Sequence, residues 1–129
     1  MNPNEIETIQ QAQWVLMEHQ ERWEWRPGMH TVEGAFVIRV IPKAACPLVV
    51  ADSHGAREDY GSRVGTVDLS HAGTVAMLEE QSRERMPGSV VTVLWGKTHV
   101  WIRFNGFGDV LEHPLHAVAI VRWLLRGRA

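Results

Sequence analysis

The fold is decided by residues 89–104, SVVTVLWGKTHVWIRF. β-Branched and aromatic residues lie on both sides of Gly96-Lys97, and glycine at the first central position is typical of a type II′ hairpin turn. A two-residue loop sets the register. In that register three cross-strand pairs form an almost wholly apolar face: Val91 with Ile102, Val93 with Val100, and Trp95 with Thr98. The stretch predicts an antiparallel hairpin with one face in the core.

Composition places the chain among globular proteins. It has 129 residues, 45% hydrophobic and 22% charged, with a net charge of −2. This length predicts one domain over residues 1–129, and the near-neutral charge argues against a general nucleic-acid binder. The single cysteine, Cys46, indicates a buried apolar residue in a reducing compartment. We find no signal peptide and no membrane span, so the sequence predicts a cytoplasmic protein.

Apolar periodicity predicts an α+β domain in which three helices cover an antiparallel sheet of about five strands. The order is α-β-β-α-β-β-(β)-α, with β-structure over 34–41, 48–51, the hairpin and 107–111, and helices over 5–25, 71–85 and 115–125. Strand 34–41 is apolar on both faces, which predicts a central position. This order is similar to the profilin-like layout of roadblock and longin-type domains, and that resemblance of layout implies a small regulatory domain.

Residues 52–65, between the second strand and the second helix, have no apolar period. A structureless loop of this length is usually either functional or a mobile surface excursion, and both interpretations stay open. Asp52-Ser-His54 follows the apolar strand LVVA and resembles the first metal motif of the metallophosphoesterases. That resemblance implies metal ligands at Asp52 and His54, although the family's Asn-His motif has no counterpart, since Asn105 precedes Gly106.

His113 and His116 are spaced to share one helix face, which is a second possible metal pair. If they met Asp52 and His54, the four side chains could form a mononuclear metal site. The competing interpretation gives both histidines capping and packing roles. We find no catalytic triad, P-loop or dinucleotide motif, so we assign no catalytic residue and expect no cofactor.

Two sets of residues are candidates for binding a partner. His99, Trp101 and Arg103 share the outer face of the hairpin, where an aromatic ring beside a guanidinium is typical of a binding hot spot. They would equally suit stacking on unpaired bases, and a covering helix would instead make Trp101 a core residue. Trp14 and Trp25 lie on the shoulder of the first helix's apolar stripe, which suggests a second contact surface.

The predicted C-terminal helix begins at Leu115, ends at Leu125 and is apolar nearly all round. A helix of that kind needs cover on several sides, which in a chain this small predicts a second subunit. The leading hypothesis is a non-enzymatic interaction or regulatory protein that dimerises through this helix and binds a partner protein. The alternative is a small metal-dependent hydrolase that uses Asp52 and His54.

Overall fold

The structure is a computed structural model, and it describes residues 5–41, 48–59, 65–84, 91–95, 100–104, 110–113 and 115–126. The chain is an α+β protein, as the sequence predicts. Its elements in order are α1 (Ile9–Glu18), a 3-10 turn (Gln20–Arg22), β1 (Phe36–Val40), β2 (Leu48–Asp52), β3 (Gly55–Asp59), α2 (Ala72–Glu84), β4 (Val91–Trp95), β5 (Val100–Phe104), β6 (Val110–His113) and α3 (His116–Arg126). Within the described residues, no helix is long and apolar enough to cross a membrane.

The described strands form two three-stranded antiparallel sheets, β1-β2-β3 and β4-β5-β6. The expectation of a single sheet of about five strands is therefore not supported. The first sheet gains a strand because residues 55–59, assigned to a loop by the sequence, pair with β2. A two-residue turn places Gly55 opposite Asp52, and Gly55 has a φ of 106°, which glycine adopts without a Cβ penalty.

Among the described strands, β1 lies at the edge of its sheet, which differs from the central position that the sequence predicts. β2 is the central strand, and β1 buries only one face. Val37 is fully buried, whereas Phe36 and Ile38 keep 40% and 44% of their surface exposed. The register shifts between Val37 and Arg39, which marks a bulge. The sequence cannot reveal this, because a strand that is apolar on both faces reads the same whether or not its second face is covered.

Residues 28–31 cover the first half of the other edge of β1. The Gly28 N–H donates to the Val37 carbonyl at 3.0 Å, and the Val37 N–H donates to the Met29 carbonyl at 2.9 Å. An isolated antiparallel bridge then joins Thr31 to Val67, just before α2. The hydrogen-bonded surface thus continues beyond β1 toward α2.

α1 is shorter than the predicted helix over 5–25. Thr8 and Gln11 form a capping box: the Gln11 N–H donates to the Thr8 hydroxyl at 3.1 Å, and the Thr8 N–H donates to the Gln11 side chain at 3.2 Å. After the helix ends, the chain folds back and the Trp23 indole N–H donates to the Leu16 carbonyl at 2.7 Å.

α3 lies in the core, where α1, α2, β5 and β6 surround it. The helix that seemed to need a second subunit is thus covered by its own chain. Its buried side chains join those of α1, α2 and the first sheet in one apolar cluster. The α3 members are Ala117, Val118, Ala119, Ile120, Val121, Trp123, Leu124 and Leu125.

The central hairpin exists, but its register differs from the prediction by two residues. Trp95 pairs with Val100, and Val93 pairs with Ile102. Residues 96–99, including the predicted Gly96-Lys97 turn, lie outside the described part of the chain. A shift of two residues keeps every residue on its predicted face, because side chains alternate with a period of two. β6 then pairs with β5, with His113 opposite Val100.

Candidate functional site

An exposed apolar surface lies on the first sheet, on the side facing away from the core. Val32, Phe36 and Ile38 expose 57%, 40% and 44% of their surface. Within β1, strand alternation places Phe36 and Ile38 on the face opposite the buried Val37, and Val32 lies in the turn before the strand. We call these three residues, together with His30, the Phe36 surface.

Aromatic stacking fixes the centre of the Phe36 surface. The His30 ring lies 5.5 Å from the Phe36 ring and 3.5 Å from the His71 ring, centroid to centroid, with planes within 25° and 14° of parallel. The His30 backbone is held on both sides, since its N–H donates to the Thr74 hydroxyl at 2.9 Å and its carbonyl accepts from the Asp68 N–H at 2.9 Å. The ring is therefore positioned by its backbone as well as by its neighbours.

The surroundings of His30 favour the neutral imidazole. Burial is the largest cause that lowers the pKa of His30, and the charge of His71 lowers it further, while Asp68 acts in the opposite direction. His71 stands just before α2, where its Nδ1 accepts the Gly73 N–H at 3.3 Å. The two imidazole rings therefore lie stacked on one another at the start of α2.

Charged residues of both signs lie near this surface. Arg39 pairs with Val49 of β2, which pairs in turn with Glu58 of β3, so the three residues form one row across the sheet. Arg39 and Glu58 are both exposed. Glu33 lies in the turn before β1, where its carboxylate accepts the Thr66 N–H at 2.7 Å. The apolar centre therefore has a rim that can pair with either sign of charge.

A cleft of about 370 Å³ opens between the start of α2 and the start of α3. Apolar side chains form most of its wall, and its polar members are Ser70, Glu79 and His116. Burial lowers the pKa of His116, and the charge of Glu79 partly opposes this. The Ser70 hydroxyl donates to Asp68 at 2.6 Å, and Glu79 accepts from Arg83 at 3.2 Å. Ser70 and Glu79 therefore each have a hydrogen-bond partner within their own segment of the chain.

A second cleft, of about 280 Å³, lies between the end of α2 and residues 21–26. Its wall is mostly charged. Arg26 contacts Glu24 at 2.8 Å and Glu84 at 2.5 Å, and these hydrogen bonds raise the pKa of Arg26, with Glu84 as the largest cause. The network ties the segment after α1 to α2, which is a structural role.

The predicted metal residues lie on three different elements. In the β2–β3 turn, the Asp52 carboxylate accepts the His54 N–H at 2.8 Å and also contacts the Arg57 guanidinium. These two contacts, the His54 bond first, lower the pKa of Asp52. His113 belongs to β6 and His116 to α3, so the two histidines do not lie on one helix. Among the described residues, no group of three or more His, Cys, Asp or Glu side chains could hold a metal ion.

The predicted partner-binding residues differ in their location and exposure. Trp25 is buried, with only 6% of its surface exposed, and packs edge-to-face on Trp23 at 5.0 Å, so it is not a surface residue. Trp14 is 54% exposed. Trp101 and Arg103 belong to β5, and their predicted role stays a prediction. His99 lies outside the described residues.

Sequence reasoning missed His30, Phe36 and His71. The signal was the Glu33-Gly34 turn: the Gly34 N–H donates to the Thr31 carbonyl at 3.0 Å, and Gly34 has a φ of 98°. This turn folds His30 back against Phe36, with which it forms an isolated bridge. A tight turn directly before an apolar strand therefore indicates antiparallel pairing between the residues on its two sides.

Comparison of the chain with protein-family models, curated proteins and solved structures found no match.

Proposed function

We propose that this protein is a small non-enzymatic interaction or regulatory protein that binds through the Phe36 surface. The observation that carries the proposal is the exposure of Phe36 and Ile38 on β1, together with that of Val32 in the turn before this strand. Single exposed apolar residues are common, but a cluster with a polar rim is typical of an interaction site. A stacked aromatic centre adds rigid contact area, which costs little side-chain entropy on binding.

The partner that we propose is a second copy of the chain. A two-fold interface brings the same patch of each subunit together, so it needs an apolar centre and a rim that contains both charges. Phe36 and Ile38 supply the centre, and Arg39 and Glu58 supply a cation and an anion on one row. The net charge of only −2 adds little repulsion between copies. The proposed dimer interface thus moves from the C-terminal helix, which is already covered, to the first sheet.

A cytoplasmic location accompanies this proposal. One cysteine cannot form an internal disulfide, and the buried apolar cluster is large enough to stabilise the fold without one.

Sedimentation velocity of the wild type and of a Phe36→Ser/Ile38→Ser double variant tests the proposal. We expect a wild-type dimer whose population falls on dilution, and a monomeric double variant with an unchanged far-UV circular dichroism spectrum. Trp14→Ser is the control, because it removes an aromatic ring from α1 that is more exposed than Phe36. A wild type that stays monomeric at high concentration, or a dimer that only Trp14→Ser dissociates, would contradict the proposed interface.

The hydrolase alternative has less support. Asp52 already accepts a backbone hydrogen bond and pairs with Arg57, which explains this carboxylate as a turn residue. No described contact brings His54 and His116 together with it.

A further inference from the structure

The His30 ring is a titratable group within the Phe36 surface. It stacks between Phe36 and His71, is half-buried, and sits beside exposed apolar side chains. Histidine is the side chain whose ordinary pKa lies nearest to neutral pH, so a moderate change of pH alters its charge. Whatever covers this surface must also cover the His30 ring.

We propose that association through the Phe36 surface depends on pH, because the surface binds its partner when His30 is neutral and releases it when His30 is protonated. This inference rests on the proposed function. It adds a regulatory property to the same surface and needs no further ligand or conformational change.

The groups that face His30 come from three segments. Phe36 of β1 packs on one side of the ring, and Thr74 of α2 accepts its backbone N–H. His71 stacks on the ring, and Asp68 of the same segment contributes the nearby negative charge. The Asp68 carboxylate already accepts the Ser70 N–H at 3.0 Å and the Ser70 hydroxyl at 2.6 Å. It therefore stabilises a His30 cation less than an uncommitted carboxylate would.

Binding strengthens the preference for the neutral ring. An apolar partner removes water from His30, and desolvation disfavours the charged form. Asp68 and the face of the Phe36 ring attract a cation and so oppose this effect. Burial is nonetheless the largest cause acting on the pKa of His30 in the isolated chain, ahead of both His71 and Asp68, and the net shift of this pKa is downward. A partner that buries the ring further therefore favours neutral His30 more strongly.

The geometry argues against a metal site as the role of this pair. The two ring planes are within 14° of parallel at a centroid distance of 3.5 Å. Imidazole nitrogens direct their lone pairs within the ring plane, so two parallel stacked rings do not aim at one shared ion. Charge change, rather than coordination, is the chemistry that this arrangement offers.

The test is sedimentation equilibrium at a series of pH values from about 8 to about 5, which span the titration of histidine. If each protomer must release one proton to bind, the dissociation constant rises by up to about tenfold per pH unit for each protomer below the pKa of His30. His30→Phe keeps an aromatic ring without the titrating group, and we expect its dimer to be insensitive to pH. Far-UV circular dichroism at each pH confirms that the chain stays folded.

Two further variants locate the effect. His71→Gln keeps a hydrogen-bond acceptor for the Gly73 N–H but removes the neighbouring charge, so dissociation should begin at a higher pH. His54→Gln replaces an exposed histidine in the β2–β3 turn and should leave the pH dependence unchanged.

The outcomes separate the inference from the function on which it rests. A wild-type dimer whose dissociation constant is flat across this pH range overturns the inference and leaves the proposed function standing. A pH dependence that persists in His30→Phe also overturns it, because another group would then be responsible. A chain that is monomeric at every pH overturns both.

Discussion

The side chain of Gln81 makes two hydrogen bonds to the backbone of Glu24. Its Oε1 accepts the Glu24 N–H at 2.9 Å, and its Nε2 donates to the Glu24 carbonyl at 2.8 Å. Gln81 is buried on α2, and Glu24 lies in the extended segment after α1. The side-chain amide of Gln81 thus makes the two hydrogen bonds that a neighbouring strand would make to Glu24. It also joins the N-terminal segment to α2.

Replacing Gln81 tests this connection. We expect Gln81→Leu to lower the free energy of unfolding by about 1–3 kcal/mol, because both polar groups of Glu24 lose their partner. Urea denaturation followed by tryptophan fluorescence measures the change. Gln10→Leu, at an exposed position on α1, is the control and should change stability little. Equal stability of the two variants would show that water replaces the Gln81 contacts.

Arg122 joins α3 to the segment before α1. Its Nε and Nη2 donate to the Ile6 carbonyl at 2.9 Å and 2.6 Å, and Nη2 also contacts Glu7 at 2.9 Å. Lysine keeps the charge but not the fork of donors. We expect Arg122→Lys to destabilise the chain by about 1–2 kcal/mol. Hydrogen exchange should be faster for residues 5–8 in the variant, and unchanged protection there would refute the role assigned to Arg122.

His116 makes stability depend on pH. Burial lowers its pKa in the folded chain below the ordinary value of 6.5, so the unfolded chain binds the proton more readily. Its contribution is therefore complete above about pH 6.5 and is lost as the pH falls through the folded pKa. We expect His116→Leu to reduce the loss of stability between pH 7 and pH 5, as measured by urea midpoints.

A double variant provides a comparison within the same series of urea midpoints. His30 also has a lowered pKa, so His116→Leu should leave part of the acid sensitivity, and the His116→Leu/His30→Phe double variant should leave less. An acid sensitivity that His116→Leu does not change would contradict the assigned direction.

Replacing Asp52 tests whether its carboxylate stabilises the turn or binds a metal ion. If the carboxylate serves the turn, Asp52→Ala lowers stability, and the loss disappears at acid pH. The sign follows from its lowered pKa: the stabilisation is present above the ordinary carboxyl pKa and vanishes as the pH falls through the folded value. Calorimetric titration with Mn²⁺ or Zn²⁺ should give the same weak signal for wild type and variant. Tight binding that Asp52→Ala abolishes would support the hydrolase alternative instead.

Sequence patterns predicted the elements that bury a regular apolar stripe. β1, β2, α2 and α3 fall close to their expected positions, since each repeats apolar residues at a strand or helix period. β3 was missed because GARED contains two acids and an arginine and buries no apolar row. Charged residues are common in edge strands, where they discourage further pairing, and β3 lies at the edge of its sheet.

The sequence could not predict which element covers each apolar face. The sequence of α3 predicts a helix that a second subunit covers. The structure shows instead that α3 packs on α1, α2, β5 and β6 of its own chain. β1 reads as a central strand, yet Phe36 and Ile38 remain exposed. Both errors have the same origin: periodicity reports which faces are apolar, but the element that covers a face is set by long-range packing. The stacking of His30 on His71, 41 positions apart in sequence, is invisible for the same reason.

Dilution of isotope-labelled protein, followed by backbone amide chemical shifts, tests the central claim most directly. If two copies associate through the Phe36 surface, the shifts that change with concentration belong to residues 30–40 and to the neighbouring positions of β2 and β3. Shifts that change on α3 or around Trp14, or a spectrum that does not depend on concentration, would contradict the proposed interface.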